Sequence, residues 1–207
     1  MTTLIQSGLL VLASASPRRK YLLEQAGLFF AVQESGVDEA AEPWALDPDA
    51  YTTNLALAKA SDVAAARPDS WVVGADTIVV MDGDLLGKPD SVADARRMLG
   101  RLSGATHMVY TGFAVMCRNR DHVYTEAVES RVTFKPLSID EIEWYVSTRE
   151  PYDKAGAYAI QGLGTFFIQS INGSYTNVVG LPVCEVMTHL LAHRVVGLPR
   201  TGKVQSS

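Results

Sequence analysis

The stretch from Ser14 to Arg19 combines residue types that suit phosphate binding. Ser16 can cap a helix and Pro17 suits its first position, so the free backbone N–H groups of that helix N-terminus would attract an anion. The guanidinium groups of Arg18 and Arg19 match the geometry of phosphate oxygens. The stretch therefore predicts either a site for a phosphorylated ligand or an ordinary capped helix with solvated arginines.

Asp76 stands in a run of mostly β-branched residues that extends from Trp71 to Met81. A carboxylate in such a strand needs a cation, a metal or hydrogen-bond donors, which favours a functional residue over a structural one bonded to backbone N–H groups. Glu39 lies in an acidic segment that follows a predicted strand. Asp76 and Glu39 could together bind a hard divalent cation, Mg²⁺ or Mn²⁺, although the charge of Glu39 could equally be solvated.

Two lysines could complete a triphosphate site. Lys59 lies in a predicted helix that is otherwise rich in alanine and leucine, and Lys88 lies in a Gly-Lys-Pro turn. Either side chain could simply be exposed. Together with Arg18 and Arg19 they would supply enough positive charge to offset a triphosphate whose oxygens are bridged by a metal.

Composition limits the class of protein. A chain of 207 residues with 47% hydrophobic content suits one α/β domain or two closely joined lobes. The net charge of −5 argues against nucleic acid or an anionic membrane as a partner, and no segment reaches the roughly 20 apolar residues of a membrane helix. Two cysteines are too few for a disulfide framework. We therefore expect a cytoplasmic protein with a small-molecule partner.

Other motifs carry less information. His189 and His193 have the i, i+4 spacing of metal ligands, but no glutamate accompanies them as in a zincin. Near a helix C-terminus, histidines are more typical of partners of the helix dipole. The chain has no Walker A motif, no Rossmann fingerprint and no Gly-x-Ser-x-Gly elbow, which disfavours the common kinase, dehydrogenase and hydrolase families.

Apolar periodicity and turn signals predict mixed strands and helices. The predicted elements are strands at 9–13, 29–32, 71–81, 107–116, 123–134 and 166–171, and helices at 17–26, 48–66, 91–102, 138–146 and 182–194. Asp47 and Ser138 are predicted helix caps, and Asp82-Gly83 and Asn172-Gly173 are predicted turns. They indicate an α/β fold with a mixed twisted sheet and flanking helices, divided into two lobes with a central cleft. The order of the strands does not follow from the sequence. Residues 198–207 are predicted to be a disordered tail.

Five ordered motifs resemble the Maf family of nucleoside triphosphate pyrophosphatases along most of the chain. The matching segments are Leu12–Arg19, Gly74–Val79, Gly87–Pro89, Tyr152–Gly162 and Asn172–Tyr175. The resemblance implies hydrolysis of a nucleoside triphosphate to the monophosphate and pyrophosphate, a divalent metal, and a homodimer. It also implies a single domain over residues 1–197, with two lobes in an arrangement like that of inosine triphosphatases.

The resemblance assigns roles to particular residues. It makes Asp76 the general base, places Glu39, Lys59 and Lys88 beside it, and lets Asp76 and Glu39 bind the metal. Its substrate-binding positions fall on Ser14, Arg18, Arg19, Thr77, Lys154 and Gln161, of which Arg18, Thr77 and Gln161 would select the base.

The stretch that ends in Gln161 looks like the branch of the family that acts on dTTP and UTP. The chain has Ala159 where that branch often has glycine, and Ala15 is a small-residue variant in the opening turn; neither change removes a functional group. The alternatives are a 7-methyl-GTP pyrophosphatase of the same family and a nucleotide-sensing regulator of cell division. A nucleic-acid-binding module fits poorly because the acidic chain lacks a basic face.

Overall fold

The computed structural model describes residues 4–39, 44 and 47–199, which form a mixed sheet with helices packed against it. The strands are β1 Ile5–Gln6, β2 Leu10–Leu12, β3 Ala31–Val32, β4 Trp71–Met81, β5 Asp84–Leu86, β6 Thr106–Cys117, β7 His122–Phe134, β8 Ile168–Asn172 and β9 Val196–Gly197. The helices are α1 Pro17–Gln25, α2 Pro48–Ala66, α3 Val92–Leu102, α4 Ile139–Val146, α5 Tyr175–Val179 and α6 Val183–Ala192. This architecture confirms the predicted fold class.

Within the described residues, seven strands form one sheet in the order β3-β2-β4-β6-β7-β8, with β5 paired to β4. Strand β2 runs parallel to β3 and β4, whereas β4, β6, β7 and β8 pair antiparallel. Strands β1 and β9 form a separate antiparallel pair. The long antiparallel strands make β4 central, so its side chains meet packing elements on both faces of the sheet.

One edge of β4 is only partly paired. Strand β2 pairs with Trp71 to Val73, and β5 pairs with Val79 to Met81. Between these two pairings, residues 74–78 have a strand partner only on β6 in the part of the chain that the structure describes. Asp76 therefore lies in a gap along this edge. The segment that follows β2 and the turn that follows β5 reach the gap from opposite ends.

Helix α2 lies unusually close to β4 and β6 because two glycines face it. A Cβ added at Gly112 would lie 2.3 Å from the carbonyl carbon of Thr52, and one added at Gly74 would lie 2.3 Å from the carbonyl oxygen of Ala56. Thr52, Ala56 and Lys59 share the buried face of α2. The close approach thus carries Lys59 to the face of β4 that bears Gly74 and Asp76, which are two residues apart and point to the same side of the sheet.

Most predicted elements are confirmed, including the helix caps Ser16, Asp47 and Ser138 and the helix start near Ser91. The predicted strand at 29–32 is only Ala31–Val32, and the short strands β1 and β9 were not predicted. Helix α5 was also not predicted. It has only five residues and begins at the Ser174 cap, immediately after the predicted Asn172-Gly173 turn. The predicted tail falls outside the described residues except for 198–199. The helices among the described residues include none long and apolar enough to span a membrane.

The close approach of α2 makes Gly112 a sensitive position. We expect Gly112→Ala to lower the free energy of unfolding by about 1–3 kcal/mol, because the added methyl group must push the α2 backbone away. The matched control is Gly100→Ala in α3, where nothing lies within 4 Å of the added Cβ, and it is expected to raise stability by about 0.5–1 kcal/mol. Urea denaturation measures both. Equal stability of Gly112→Ala and the wild type would contradict the close approach.

Candidate functional site

A cluster of one lysine and two carboxylates lies at the gap in the β4 edge. Lys59 Nζ is 2.7 Å from Asp76 Oδ1 and 2.7 Å from Glu39 Oε1. Lys59 and Asp76 are each only 6% exposed, whereas Glu39 reaches the surface. The cluster has a net charge of about −1 when all three groups are ionised. It can therefore attract a further cation.

The charges around Glu39 extend beyond Lys59. Burial alone raises the pKa of Glu39, but the hydrogen bond and charge of Lys59, with the charges of Lys88 and Arg19, bring that pKa below its usual value. Lys88 is exposed and forms no ion pair among the described residues, yet its charge reaches Glu39. Glu39 is thus an ionised carboxylate beside three cationic side chains.

The donor atoms of this cluster fit a hard divalent cation. Lys59 contacts one oxygen of Asp76 and one of Glu39, and each carboxylate has a second oxygen. Mg²⁺ is commonly held by one or two carboxylates together with substrate phosphates, because it gives up its water ligands reluctantly. Asp76 and Glu39 lie together beside the gap, close to several cationic side chains that could contact phosphate oxygens. This arrangement matches that mode of binding.

Arg19 joins three segments on the other face of β4. Its Nε donates to the carbonyl oxygen of Gly180 at 2.7 Å, its Nη1 to Ser14 Oγ at 3.2 Å, and its Nη2 to Thr77 Oγ1 at 3.0 Å. Burial lowers the pKa of Arg19 and the negative charges of Asp76 and Glu39 raise it, but arginine stays cationic in proteins. Arg19 therefore fixes the segment after β2 against β4 while it remains a positive charge at the site.

Thr77 occupies a different environment from its neighbour Asp76. Successive side chains of a strand point to opposite faces, so Asp76 faces α2 and Thr77 faces α5. Thr77 Oγ1 accepts from Arg19, lies 2.9 Å from Thr111 Oγ1, and lies 3.4 Å from the carbonyl oxygen of Gly180. The sequence singled out Thr77 but gave no signal for Thr111, since their contact depends on the pairing of β4 with β6.

Arg18 and Lys154 meet at Asp153. Arg18 Nη1 is 3.4 Å from Asp153 Oδ2, and Lys154 Nζ contacts Asp153 and donates to the carbonyl oxygen of Glu150 at 2.8 Å. Burial raises the pKa of Asp153, but Lys154 and Arg18 lower it below its ordinary value. Asp153 thus draws the start of α1 towards the segment at 150–164, which brings two of the predicted substrate-binding residues together.

The segment around Gln161 is organised by Glu150, which sequence reasoning missed. The Glu150 carboxylate accepts hydrogen bonds from the backbone N–H groups of Leu163 and Gly164 and from the Tyr145 hydroxyl, each at 2.9 Å. Within the part of the chain that the structure describes, Gln161 Nε2 makes one hydrogen bond, a long contact of 3.4 Å with the Tyr175 hydroxyl. No local pattern marks Glu150, because its partners lie up to 14 residues away.

The candidate residues thus fall into three groups in space. The buried pair Lys59 and Asp76 forms a cluster with the exposed Glu39, and the charge of Lys88 lies close by. Ser14, Arg19 and Thr77 form the network on the other face, and Arg18, Lys154 and Gln161 lie on or against the segment at 150–164.

The buried pair makes a prediction about coupling. We expect Lys59→Met to lower the free energy of unfolding by about 3–5 kcal/mol, because Asp76 would remain buried without a cation. Asp76→Asn in the same chain should recover part of that loss, so the two effects should not add. Lys88→Met, which changes an exposed lysine, should alter stability by no more than about 0.5 kcal/mol. Simple additivity in a urea double-mutant cycle would show that the pair is not coupled.

Comparisons with known proteins identify relatives along nearly the whole chain. The chain is 51% identical to the dTTP/UTP pyrophosphatase of Syntrophus aciditrophicus (strain SB) over 181 residues, which cover 87% of this chain and 88% of that protein. It is 52% identical to the proteins of the same name from Geobacter sulfurreducens, over 90% of this chain and 97% of that protein, and from Moorella thermoacetica, over 94% and 98%. The family model described as Maf-like protein matches residues 9–193. The chain belongs to the Maf-like protein family.

Proposed function

We propose that this chain is a pyrophosphatase that hydrolyses dTTP and UTP to the nucleoside monophosphate and pyrophosphate. The observation that carries the proposal is the buried Lys59–Asp76 pair with Glu39 at the gap in the β4 edge. The names of relatives that are about half identical support the dTTP/UTP specificity over that for 7-methyl-GTP. The same names describe enzymes, which supports catalysis rather than nucleotide sensing alone.

Asp76 has the role of general base in this proposal. Lys59 donates to Oδ1 and fixes the carboxylate, which leaves the second oxygen of Asp76 to accept a proton from a water molecule. The water oxygen bonds to the α-phosphorus as the bond from that phosphorus to the bridging oxygen breaks, and pyrophosphate leaves. A divalent cation, Mg²⁺ or Mn²⁺, held by Asp76 and Glu39 would supply charge that neutralises the phosphate oxygens.

The positive side chains around the gap stabilise the leaving group in this proposal. Arg18, Arg19 and Lys88, with Lys59, would offset the charge that grows on pyrophosphate. Ser14 supports this set because it accepts a hydrogen bond from Arg19, and Lys154 supports it because it lies beside Arg18 at Asp153. No covalent intermediate is required.

Gln161 is proposed to read the base. A uracil or thymine edge presents acceptor, donor and acceptor groups in order, and a carboxamide offers both a donor and an acceptor to match them. The long contact of Gln161 with Tyr175 is one that a base can replace. Thr77 and Arg18 complete this set in the proposal, with Thr77 held in place by Arg19.

The same proposal covers the wider organisation of the protein. We propose a single domain over residues 1–197, whose two lobes meet at the gap in the β4 edge. The protein would act as a homodimer in the cytoplasm. The support is the family resemblance together with the acidic composition and the two cysteines.

A nucleotide panel with purified protein and Mn²⁺ or Mg²⁺ tests the reaction. We expect UTP and dTTP to give the monophosphate and pyrophosphate, and Asp76→Asn to reduce kcat by about 10²–10⁴-fold while nucleotide binding persists. The matched control is Asp121→Asn, an exposed residue whose φ of 49° suits asparagine equally well, and it should leave kcat unchanged. Release of orthophosphate in place of pyrophosphate, or no turnover of UTP and dTTP, would refute the proposal.

Base selection has a separate test. Gln161→Ala should reduce kcat/KM for UTP and dTTP by about tenfold, the equivalent of one lost hydrogen bond. It should also lower the ratio of kcat/KM for UTP to kcat/KM for CTP. Gln169→Ala, which truncates an exposed glutamine on β8, should change neither. An unchanged preference in Gln161→Ala would assign base recognition to other residues.

A further inference from the structure

A second group of possible metal ligands lies away from the site described above. The imidazoles of His122, His189 and His193 each present one ring nitrogen, and these three atoms lie within 4.8 Å of one another. His122 Nε2 and His189 Nε2 are 2.9 Å apart. Among the described residues, no other group of three or more histidine, cysteine or acidic residues is arranged in this way.

The fold brings these histidines together from distant parts of the sequence. His122 begins β7 just after the turn that follows β6, whereas His189 lies one helical turn before His193 at the end of α6. His122 packs against Trp71 with a ring separation of 4.9 Å. Trp71 and Asp76 are separated by about 17 Å along the extended strand β4, so the cluster is distinct from the proposed catalytic site.

We propose that His122, His189 and His193 form a binding site for a transition-metal ion of the Zn²⁺, Ni²⁺ or Cu²⁺ class. Imidazole nitrogen suits these metals, whereas Mg²⁺ prefers oxygen ligands. Two nitrogens bound to a tetrahedral Zn²⁺ lie about 3.3 Å apart, so the His122–His189 pair needs only a small adjustment. His193 is exposed at the helix end and can rotate to close the third contact.

The surroundings of His122 and His189 favour neutral imidazoles, and ring contacts orient the cluster. Tyr124 stacks on His189 with a ring separation of 4.0 Å and an angle of 18° between the planes, and Trp71 lies 6.3 Å from His193. Burial, together with the neighbouring histidines, lowers the pKa of His189 to about 4. The pKa of His122 is lowered by burial and by His193. The neutral form is the one that binds metals.

A bound ion would join two elements that, among the described residues, meet through packing and the His122–His189 contact. It would clamp the turn between β6 and β7 to the end of α6, just before β9 pairs with β1. A metal that binds only the folded state raises the melting temperature. The site therefore predicts metal-dependent stability without a direct effect on the catalytic residues. Three protein ligands leave one position for water or another ligand.

The test is titration of the full-length protein with Zn²⁺ alone, in competition with a chromogenic chelator. We expect one Zn²⁺ per chain with a dissociation constant below about 1 μM. His193→Ala changes an exposed side chain and should leave the metal-free melting temperature unchanged. It should weaken Zn²⁺ binding by more than about 100-fold, which exceeds the loss of affinity usual when a residue that only hydrogen-bonds to a metal ligand is removed. Co²⁺ should give the visible spectrum of a tetrahedral site in the wild type and not in His193→Ala.

Two matched variants separate this site from other metal ligands. Cys184→Ser removes an exposed thiol from the same helix, and Asp76→Asn removes a carboxylate from the proposed catalytic site; both should retain the Zn²⁺ affinity and the Co²⁺ spectrum. Equal Zn²⁺ binding by the wild type and His193→Ala would overturn the proposal. Loss of Zn²⁺ binding in Cys184→Ser or Asp76→Asn would overturn it as well, because the metal would then be held elsewhere.

Discussion

The hydrogen-bonded pair of Lys59 and Asp76 is the constraint on which the site depends. Lys59 and Asp76 are each 6% exposed, and either charge alone would be strongly unfavourable at that burial. The two side chains must therefore pair in the folded chain. This pairing requires α2 to lie close to β4, and that approach is possible only because Gly74 and Gly112 carry no side chain. The Lys59–Asp76 pair therefore requires glycine at positions 74 and 112, although these two residues have no functional side chain.

Strand β4 separates two kinds of interaction by the alternation of its side chains. Asp76 on one face belongs to a cluster with excess negative charge, whereas Thr77 on the other face belongs to the hydrogen-bonded network of Arg19. The gap in the strand edge lies beside both. In the proposed enzyme this arrangement would favour a ligand that brings a metal ion to the carboxylates and phosphate oxygens to the surrounding cations.

Features that depend on neighbouring residues could be predicted from the sequence. The caps at Asp47 and Ser138 and the turn at Asp82 rest on local hydrogen bonds and backbone preferences, and all three were predicted correctly. The sequence also marks Asp76 and Lys59 as candidate site residues, because each places a charge in an otherwise apolar strand or helix. The gap in the β4 edge was not predictable, because it depends on where β2 and β5 stop pairing with β4. Similarly, the sequence favours a helix-dipole partner at His189, because no local pattern shows that His122, 67 residues away, is its neighbour.

The most direct test of the central claim is hydrolysis of UTP in H₂¹⁸O. If Asp76 directs water to the α-phosphorus, the ¹⁸O will appear in the phosphate of UMP and not in pyrophosphate. Appearance of the ¹⁸O in pyrophosphate would mean that water attacks the β-phosphorus. That result would contradict the proposed position of the triphosphate against Asp76 and Lys59.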